Sequence, residues 1–377
     1  MTKTMRFCAF FLAALAAWGM THASASARDK PYKIYLSLSY TGNDWQSEAE
    51  NMIRALASSP AYRDKIKLEV QVAGPDAQKQ SQQINAMAQS GADAIVMYGV
   101  SETLLNGAIK NACDRGVVVI AYDSFVSAPC AYNITTDAEE FGRLGADWLV
   151  KKLGGKGRVL MVNGVPGSSP DKARIKGAMG VFSEYPDIKV VGSITAMWSE
   201  SVLRSELSKY LAVHSWDDFD GLWVQVGCYT AAVMQDEAGI TDDKKKPCAG
   251  EASNGHRIQM LPASMKVDGA NGPYRPMSYP SISVASPPFE GPLALKYAVD
   301  VLDGKTVPKL TTVPIPTFTS EQMKLCEKGT WAEMHNTRCN VFSPAVIPNP
   351  GWFSDLYSPE LPEIGLNAAL KGLPEGE

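Results

Sequence analysis

Two short apolar runs, residues 95–98 and 117–121, flank a segment in which Leu104, Leu105, Ala108, Ile109 and Ala112 recur at helical spacing. The runs have the length and β-branched content of strands buried on both faces, so the unit reads strand, helix, strand. Ser101 is placed to cap the helix and Gly116 to stop it. A parallel sheet follows from such a unit, and ligands of parallel sheets sit beyond the carboxyl ends of the strands. Tyr98 and Asp123 stand at those ends.

The same rhythm runs in both directions. Residues 33–38 and 66–72 alternate as strands, each followed by a helix, one carrying Met52, Ile53 and Leu56, the other capped by Asp76 with Ile84, Met87 and Ala88 inward. The first of these strands ends in Tyr40-Thr41-Gly42-Asn43-Asp44-Trp45, a polar and aromatic loop before a helix start, where free N–H groups are available. A second series begins after residues 132–136. Asp137 and Glu140 form a capping-box pattern ahead of Phe141, Leu144, Trp148 and Leu149, closed by Gly154-Gly155. Strands are predicted over 158–162, 188–194, 222–226 and 249–253, with helices through 174–185, 200–213 and 229–239. Residues 255–281 break the pattern and read as a long loop, either a surface insertion or a cover over a cleft. A strand at 282–285, a helix at 292–302 and an edge strand or connector at 307–316 follow, and the tail from 321 is placed at the surface without a fold. Two consecutive α/β series of similar order predict two doubly wound lobes.

Composition narrows the class. With 45% hydrophobic and 20% charged residues, the 377-residue chain is a well-packed globular protein rather than a disordered or fibrous one. Lys3 and Arg6, an apolar run over 7–20 and small-x-small sites at Ala23-Ser24-Ala25 and Ala25-Ser26-Ala27 predict a secretory signal over residues 1–27. Without it, 34 basic residues face 40 acidic ones, a net charge of −6 that argues against a nucleic-acid partner. Export permits disulfides among the six remaining cysteines, and the neighbouring couples Cys113 with Cys130, Cys228 with Cys248, and Cys326 with Cys339 are one choice among 15 connectivities. No cofactor or metal site is predicted, since His214, His256 and His335 lie in unrelated surroundings. Catalysis finds no support either. The GVPGSSP loop lacks a phosphate-loop ending, Ser168 and Ser169 have no nucleophile elbow, and Asp217-Asp218 beside Trp216 reads as a solvated corner.

The segments KIYLSLSYTGNDW, GADAIVMYG, RGVVVIAYDS, NITTDAEEFGRLGADWLVKKLGGKGRVLMVNG, SSPDKARIKG and PFEGPLALKYAVDVLDGKTVP, in this order, resemble periplasmic solute-binding proteins of the ribose and galactose type. The resemblance spans about residues 31–316 and implies the type I periplasmic binding protein fold: two doubly wound parallel-sheet lobes joined by a three-stranded hinge. It implies a first lobe of 28–133 plus 287–314, and a second of 134–286 plus 315–377. It also implies a monomeric periplasmic receptor that closes on a small sugar or polyol and delivers it to an ABC permease in the inner membrane. Alternatives on the same fold are a receptor for a signalling molecule, an amino acid or an aromatic acid, or a sensory partner of a chemoreceptor or histidine kinase.

Carried over residue by residue, the resemblance implies ligand contacts from Asn43, Trp45, Asp123 with its neighbour Ser124, Arg174 and Trp198. Where relatives read AQNDEMA, this chain has VQVGCYTA, which makes Gln225, Gly227 and Tyr229 candidates by neighbourhood. Tyr98, Asn254 and Ser286 stand where relatives have an asparagine, an aspartate and a glutamine. The chemistry is coherent with a polyol. Trp45 and Trp198 would be plates for C–H faces, each with an indole N–H to spare, while Asp123 accepts, Arg174 donates and the asparagines do both. Competing structural roles are a turn cap for Asp123, a solvated helix position for Arg174 and core positions for the two tryptophans.

Overall fold

The computed structural model describes residues 30–250 and 253–376; the secretory signal expected over 1–27 lies outside them. The first series runs β1 (Tyr32–Leu38), α1 (Asp44–Ser58), β2 (Ile66–Val72), α2 (Ala77–Gln89), β3 (Ala94–Tyr98), α3 (Asn106–Asp114), β4 (Val118–Tyr122) and β5 (Tyr132–Thr136). The second runs α4 (Ala138–Lys152), β6 (Gly157–Asn163), α5 (Ser169–Glu184), β7 (Ile188–Thr195), α6 (Glu200–Leu211), β8 (Gly221–Val224), α7 (Cys228–Glu237), β9 (Cys248–Gly250), α8 (Asn254–Met260) and β10 (Ser281–Val284). Then come α9 (Glu290–Leu302), β11 (Leu310–Val313), β12 (Thr317–Thr319), β13 (Leu325–Cys326), α10 (Trp331–Thr337), β14 (Val341–Phe342) and α11 (Leu366–Lys371).

These elements form two lobes. One sheet has the order β11-β5-β4-β3-β1-β2 and is parallel throughout; the other has the order β12-β10-β9-β8-β6-β7, with β12 alone antiparallel. The strand order reverses at β1/β3 in one sheet and at β6/β8 in the other. Crevices therefore open at the carboxyl ends of these strands. The chain passes between the sheets after β5, after β10 and between β11 and β12. All five residues of β3 are buried, and helices cover both faces of its sheet, as its unbroken apolar run requires.

Several local expectations change. Ser101 caps a turn, accepting from the N–H groups of Thr103 and Leu104, and α3 starts only at Asn106; Leu104 is thereby turned outward, 69% exposed. Asp137 does cap α4, but Glu140 pairs with Arg143 and leaves the capping box half made. Residues 132–136 are a strand, and the expected loop 255–281 begins inside α8. The three neighbouring cysteine couples are bridged: Cys113 with Cys130, Cys228 with Cys248, and Cys326 with Cys339.

The segment from 315 onward, expected with the second lobe, packs on both lobes. Its β12 completes the second sheet, whereas Phe353, Leu356, Leu361, Ile364, Ala368 and Ala369 join the core beneath α1 and α9 of the first lobe. Burying those side chains is the physical reason the tail folds back instead of remaining on the surface.

Candidate functional site

At the strand ends of both lobes lies a cleft of about 430 Å³ into which Asn43, Trp45, Tyr98, Asp123, Arg174 and Trp198 all open. Its first wall is aromatic. Trp45, in the first turn of α1, stacks on Tyr122 with ring centroids 6.3 Å apart, and Tyr98 closes the triangle at 6.2 Å from Trp45 and 5.9 Å from Tyr122. The indole N–H of Trp45 donates to the Ser286 carbonyl at 2.7 Å. Asn43 caps α1 by accepting the Gln46 N–H at 2.9 Å, so its amide oxygen serves the helix.

Asp123 follows β4 in a left-handed backbone conformation, φ 52°. Such a conformation in a non-glycine residue costs roughly 1–3 kcal/mol and persists where the surroundings over-determine it. Here the Asp123 N–H is bonded to the Ile134 carbonyl and the Asp123 carbonyl to the Thr135 hydroxyl. Burial raises the Asp123 carboxyl above its ordinary pKa, opposed by the Arg174 charge and by hydrogen bonds from Ser286 and Tyr98.

The second wall is built by polar relay. Trp198 also has a left-handed backbone, φ 53°, and lies against Gly164, where any Cβ would run into the indole. Its N–H donates to Gln225 Oε1 at 2.9 Å; Gln225 Nε2 donates to Asp171 Oδ1 at 2.8 Å, which also accepts the Gly164 N–H at 2.8 Å. Both indole N–H groups are thus spent on orientation and not available to a ligand, contrary to the expectation from sequence. Arg174 is 2% exposed, its guanidinium 4.0 Å from the Phe141 ring centroid and 5.7 Å from that of Trp198. Two glycines bring its helix this close to α4. A Cβ on Gly142 would strike the Arg174 carbonyl, and one on Gly177 the Glu139 carbonyl.

The walls meet across the lobes. Arg174 Nη2 lies 3.9 Å from Asp123 Oδ1 and donates to Ser286 Oγ at 3.1 Å, and that hydroxyl also bonds Thr136 Oγ1 at 2.8 Å. Tyr40 donates to the Met197 carbonyl at 3.0 Å, and Ser169 to the Phe125 carbonyl at 3.2 Å.

Other expected contacts stand elsewhere. Ser124 is buried and donates to the Gly99 carbonyl. Gln225 and Ser286 sit behind the lining, supporting Trp198 and Arg174. Gly227 precedes α7 with φ 125° against Leu203, whose side chain leaves no room for a Cβ. Tyr229 packs edge-on against Tyr274, 6.1 Å away, and fully buried Asn254 bonds Tyr274, Phe342 and Ser354, tying α8 to the tail. The cleft also has lining that the sequence reading missed. Asp44 and Glu200 occupy the first turns of α1 and α6, beside residues already singled out, and Gly351 and Phe353 arrive from the tail. Burial pushes Glu200 up to about 7, with Asp44 adding to the rise and hydrogen bonds from Thr230 opposing it. The one grouping of potential metal ligands among the described residues, Cys326, Glu333 and Cys339, has both sulfurs in a disulfide.

Residues 34–306 match the family described as periplasmic binding protein domain. The chain belongs to that family. Among curated relatives, this periplasmic binding protein is 28% identical over 153 residues to the xylitol-binding protein of Mycolicibacterium smegmatis, covering 40% of this chain and 44% of that one. It is 30% identical over 152 residues to the D-xylose-binding periplasmic protein of Escherichia coli, covering 39% and 44%. The matches thus span less than half of these relatives' length. In structure, it resembles an ABC transporter solute binding protein from Thermobispora bispora, with a TM-score of 0.68 and 24% identity over 88% of this chain and 94% of that one. A galactofuranose binding protein gives a TM-score of 0.66 and 19% identity over 78% and 96%. The expected type I fold is the observed one.

Proposed function

We propose that this periplasmic binding protein captures a small sugar or polyol between its lobes by hinge closure and presents it to an ABC permease. The first lobe would comprise the elements around β1–β5, α9 and β11, and the second those around β6–β10 and β12. The observation that carries the reading is the pairing, in one cleft, of two fixed tryptophans with a carboxylate and a guanidinium from opposite lobes. Vicinal hydroxyls both donate and accept, so Asp123 and Arg174 can share one sugar edge, while C–H faces lie on Trp45 and Trp198. Each charge-assisted hydrogen bond would contribute roughly 1.5–3 kcal/mol in the closed cleft. Relatives named for xylitol and D-xylose support the ligand class, and the D-xylose-binding one, named as a periplasmic protein, supports the compartment. Asp123, Arg174, Trp45 and Trp198 are the proposed ligand contacts, with Asn43 and Tyr98 beside them.

The test is a thermal-shift screen of pentoses, hexoses, polyols and small acids. A ligand present at 100 times its dissociation constant stabilises the folded chain by about 2.7 kcal/mol, enough to raise Tm by several degrees. A response confined to amino or aromatic acids would replace the ligand class, and silence across the panel from folded protein would reject the reading.

A further inference from the structure

The family match ends at residue 306, yet the chain returns to the cleft more than forty residues later. On the second lobe, Asn254 of α8 accepts the Phe342 N–H and the Ser354 hydroxyl at 2.9 and 2.7 Å. Arg257 of the same helix, fully buried, holds Asp355 and donates to the Asn340 carbonyl at 2.9 Å. On the first lobe, Asp44 of α1 accepts from Asn349 Nδ2 at 2.9 Å and Trp352 Nε1 at 3.1 Å, and both Glu48 carboxyl oxygens lie within 3.1 Å of the Phe353 nitrogen that donates to them. Gly351 has no room for a Cβ, which would run into the Asp44 carboxylate. Farther on, α11 lies along α1, where Asn51 Nδ2 donates to the Ala369 carbonyl at 2.8 Å. The segment is therefore fastened to both lobes, and between its fastenings Gly351 and Phe353 line the cleft.

We propose that this strap is a third wall of the binding site and that Phe353 is a ligand-contacting residue that sets selectivity. The inference rests on the sugar or polyol reading and deepens it. A site walled by two lobes alone leaves one rim to solvent, whereas a strap across that rim adds an apolar surface for a sugar's C–H groups and limits how far a ligand extends past α1. The favoured class is a compact single-ring sugar or short polyol, discriminated by the substituent that meets Phe353. The buried Glu48 carboxyl, through the Phe353 N–H, and Asp44, through the Asn349 and Trp352 side chains, are then positioning residues, because they hold the strap at the rim.

The test is calorimetric titration, well below Tm, of the full chain and three variants with the ligands found by screening. Phe353→Ala is expected to weaken the tightest ligand about tenfold and to change the order of affinities within the panel. Phe353→Leu, which keeps an apolar side chain, should recover part of the affinity with altered order, and it carries the test should Phe353→Ala not fold. Leu361→Ala removes a side chain of the same strap from the same core but away from the cleft. It should lower Tm and leave affinities unchanged. Affinities and order unchanged by both Phe353 variants would overturn this inference alone, as would an equal loss of affinity in Leu361→Ala. A folded wild type that binds nothing in the panel overturns the sugar reading and this inference together.

Discussion

The two walls of the cleft present similar groups, a tryptophan and a charge each, but hold them by different physics. On the first wall Trp45 is fixed mainly by packing against Tyr98 and Tyr122, with a single hydrogen bond to the Ser286 carbonyl. On the second, Trp198 is fixed by a chain of hydrogen bonds through Gln225 and Asp171 to the Gly164 N–H. Packing degrades gradually when a ring is trimmed, whereas a buried polar chain loses more when one member is removed, because its neighbours are left unsatisfied. One residue, Ser286, bonds both tryptophan-bearing walls. The Ser286 carbonyl takes the Trp45 N–H, and its hydroxyl takes Arg174 and bonds Thr136.

The largest break in this comparison should come from Arg174→Ala. It strips Asp123 of its opposing charge in a buried site, a change that costs about 3–5 kcal/mol when the ion pair is close. At the 3.9 Å separation here, the lower end is expected in denaturant unfolding, with loss of ligand binding. Next, Trp198→Phe should destabilise by about 1–3 kcal/mol, since it orphans Gln225 Oε1. Trp45→Phe orphans one acceptor too, the Ser286 carbonyl, but keeps the ring stack and breaks no onward side-chain relay, so it should cost less, and equal losses would erase the distinction between the walls.

A pH series sharpens the same contrast. Glu200, on the second wall, is raised from 4.5 to about 7, so the folded chain binds its proton more tightly than the unfolded one. Its contribution is complete below pH 4.5 and is lost as pH climbs through 7. Because the group is only partly buried, the loss is discounted to roughly 1–2 kcal/mol. Glu200→Gln should gain on the wild type across that window, read as Tm against pH. Asp123, raised from 3.8, acts in the same direction on the first wall. The smallest effect belongs to Ser286→Ala. It removes the hydroxyl that bonds Arg174 and Thr136 but keeps the carbonyl that accepts from Trp45, so about 1 kcal/mol and a modest loss of affinity are expected. Tryptophan fluorescence of the Trp45 environment should stay unchanged.

Much of this arrangement could be read from the chain because it is local. Strand ends followed by helix starts place Asn43, Trp45, Tyr98, Asp123 and Trp198 at strand ends, on loops or in first turns, and the structure gathers them with Arg174 in one cleft. Asp44 and Glu200 carry the same positional signal, as first-turn acids within two residues of Asn43, Trp45 and Trp198. The strap was not legible. Phe353 reaches the cleft only through contacts some 300 positions apart, such as Phe353 N–H to Glu48, which no periodicity encodes. The same strap explains why Asn254 and Tyr229 fall outside the cleft, since α8 faces the tail and its aromatic cluster. The spent indole N–H groups were likewise invisible, because their acceptors lie 241 and 27 positions away.

The central claim is that one small polyhydroxylated ligand is held between Asp123 on one lobe and Arg174 on the other. Calorimetric titration of the wild type, Asp123→Ala and Arg174→Ala with the best ligand from the screen tests it most directly. One site per chain is expected, with at least about a hundredfold loss in each variant while circular dichroism shows the fold retained. Binding that survives both substitutions with unchanged affinity would contradict the account.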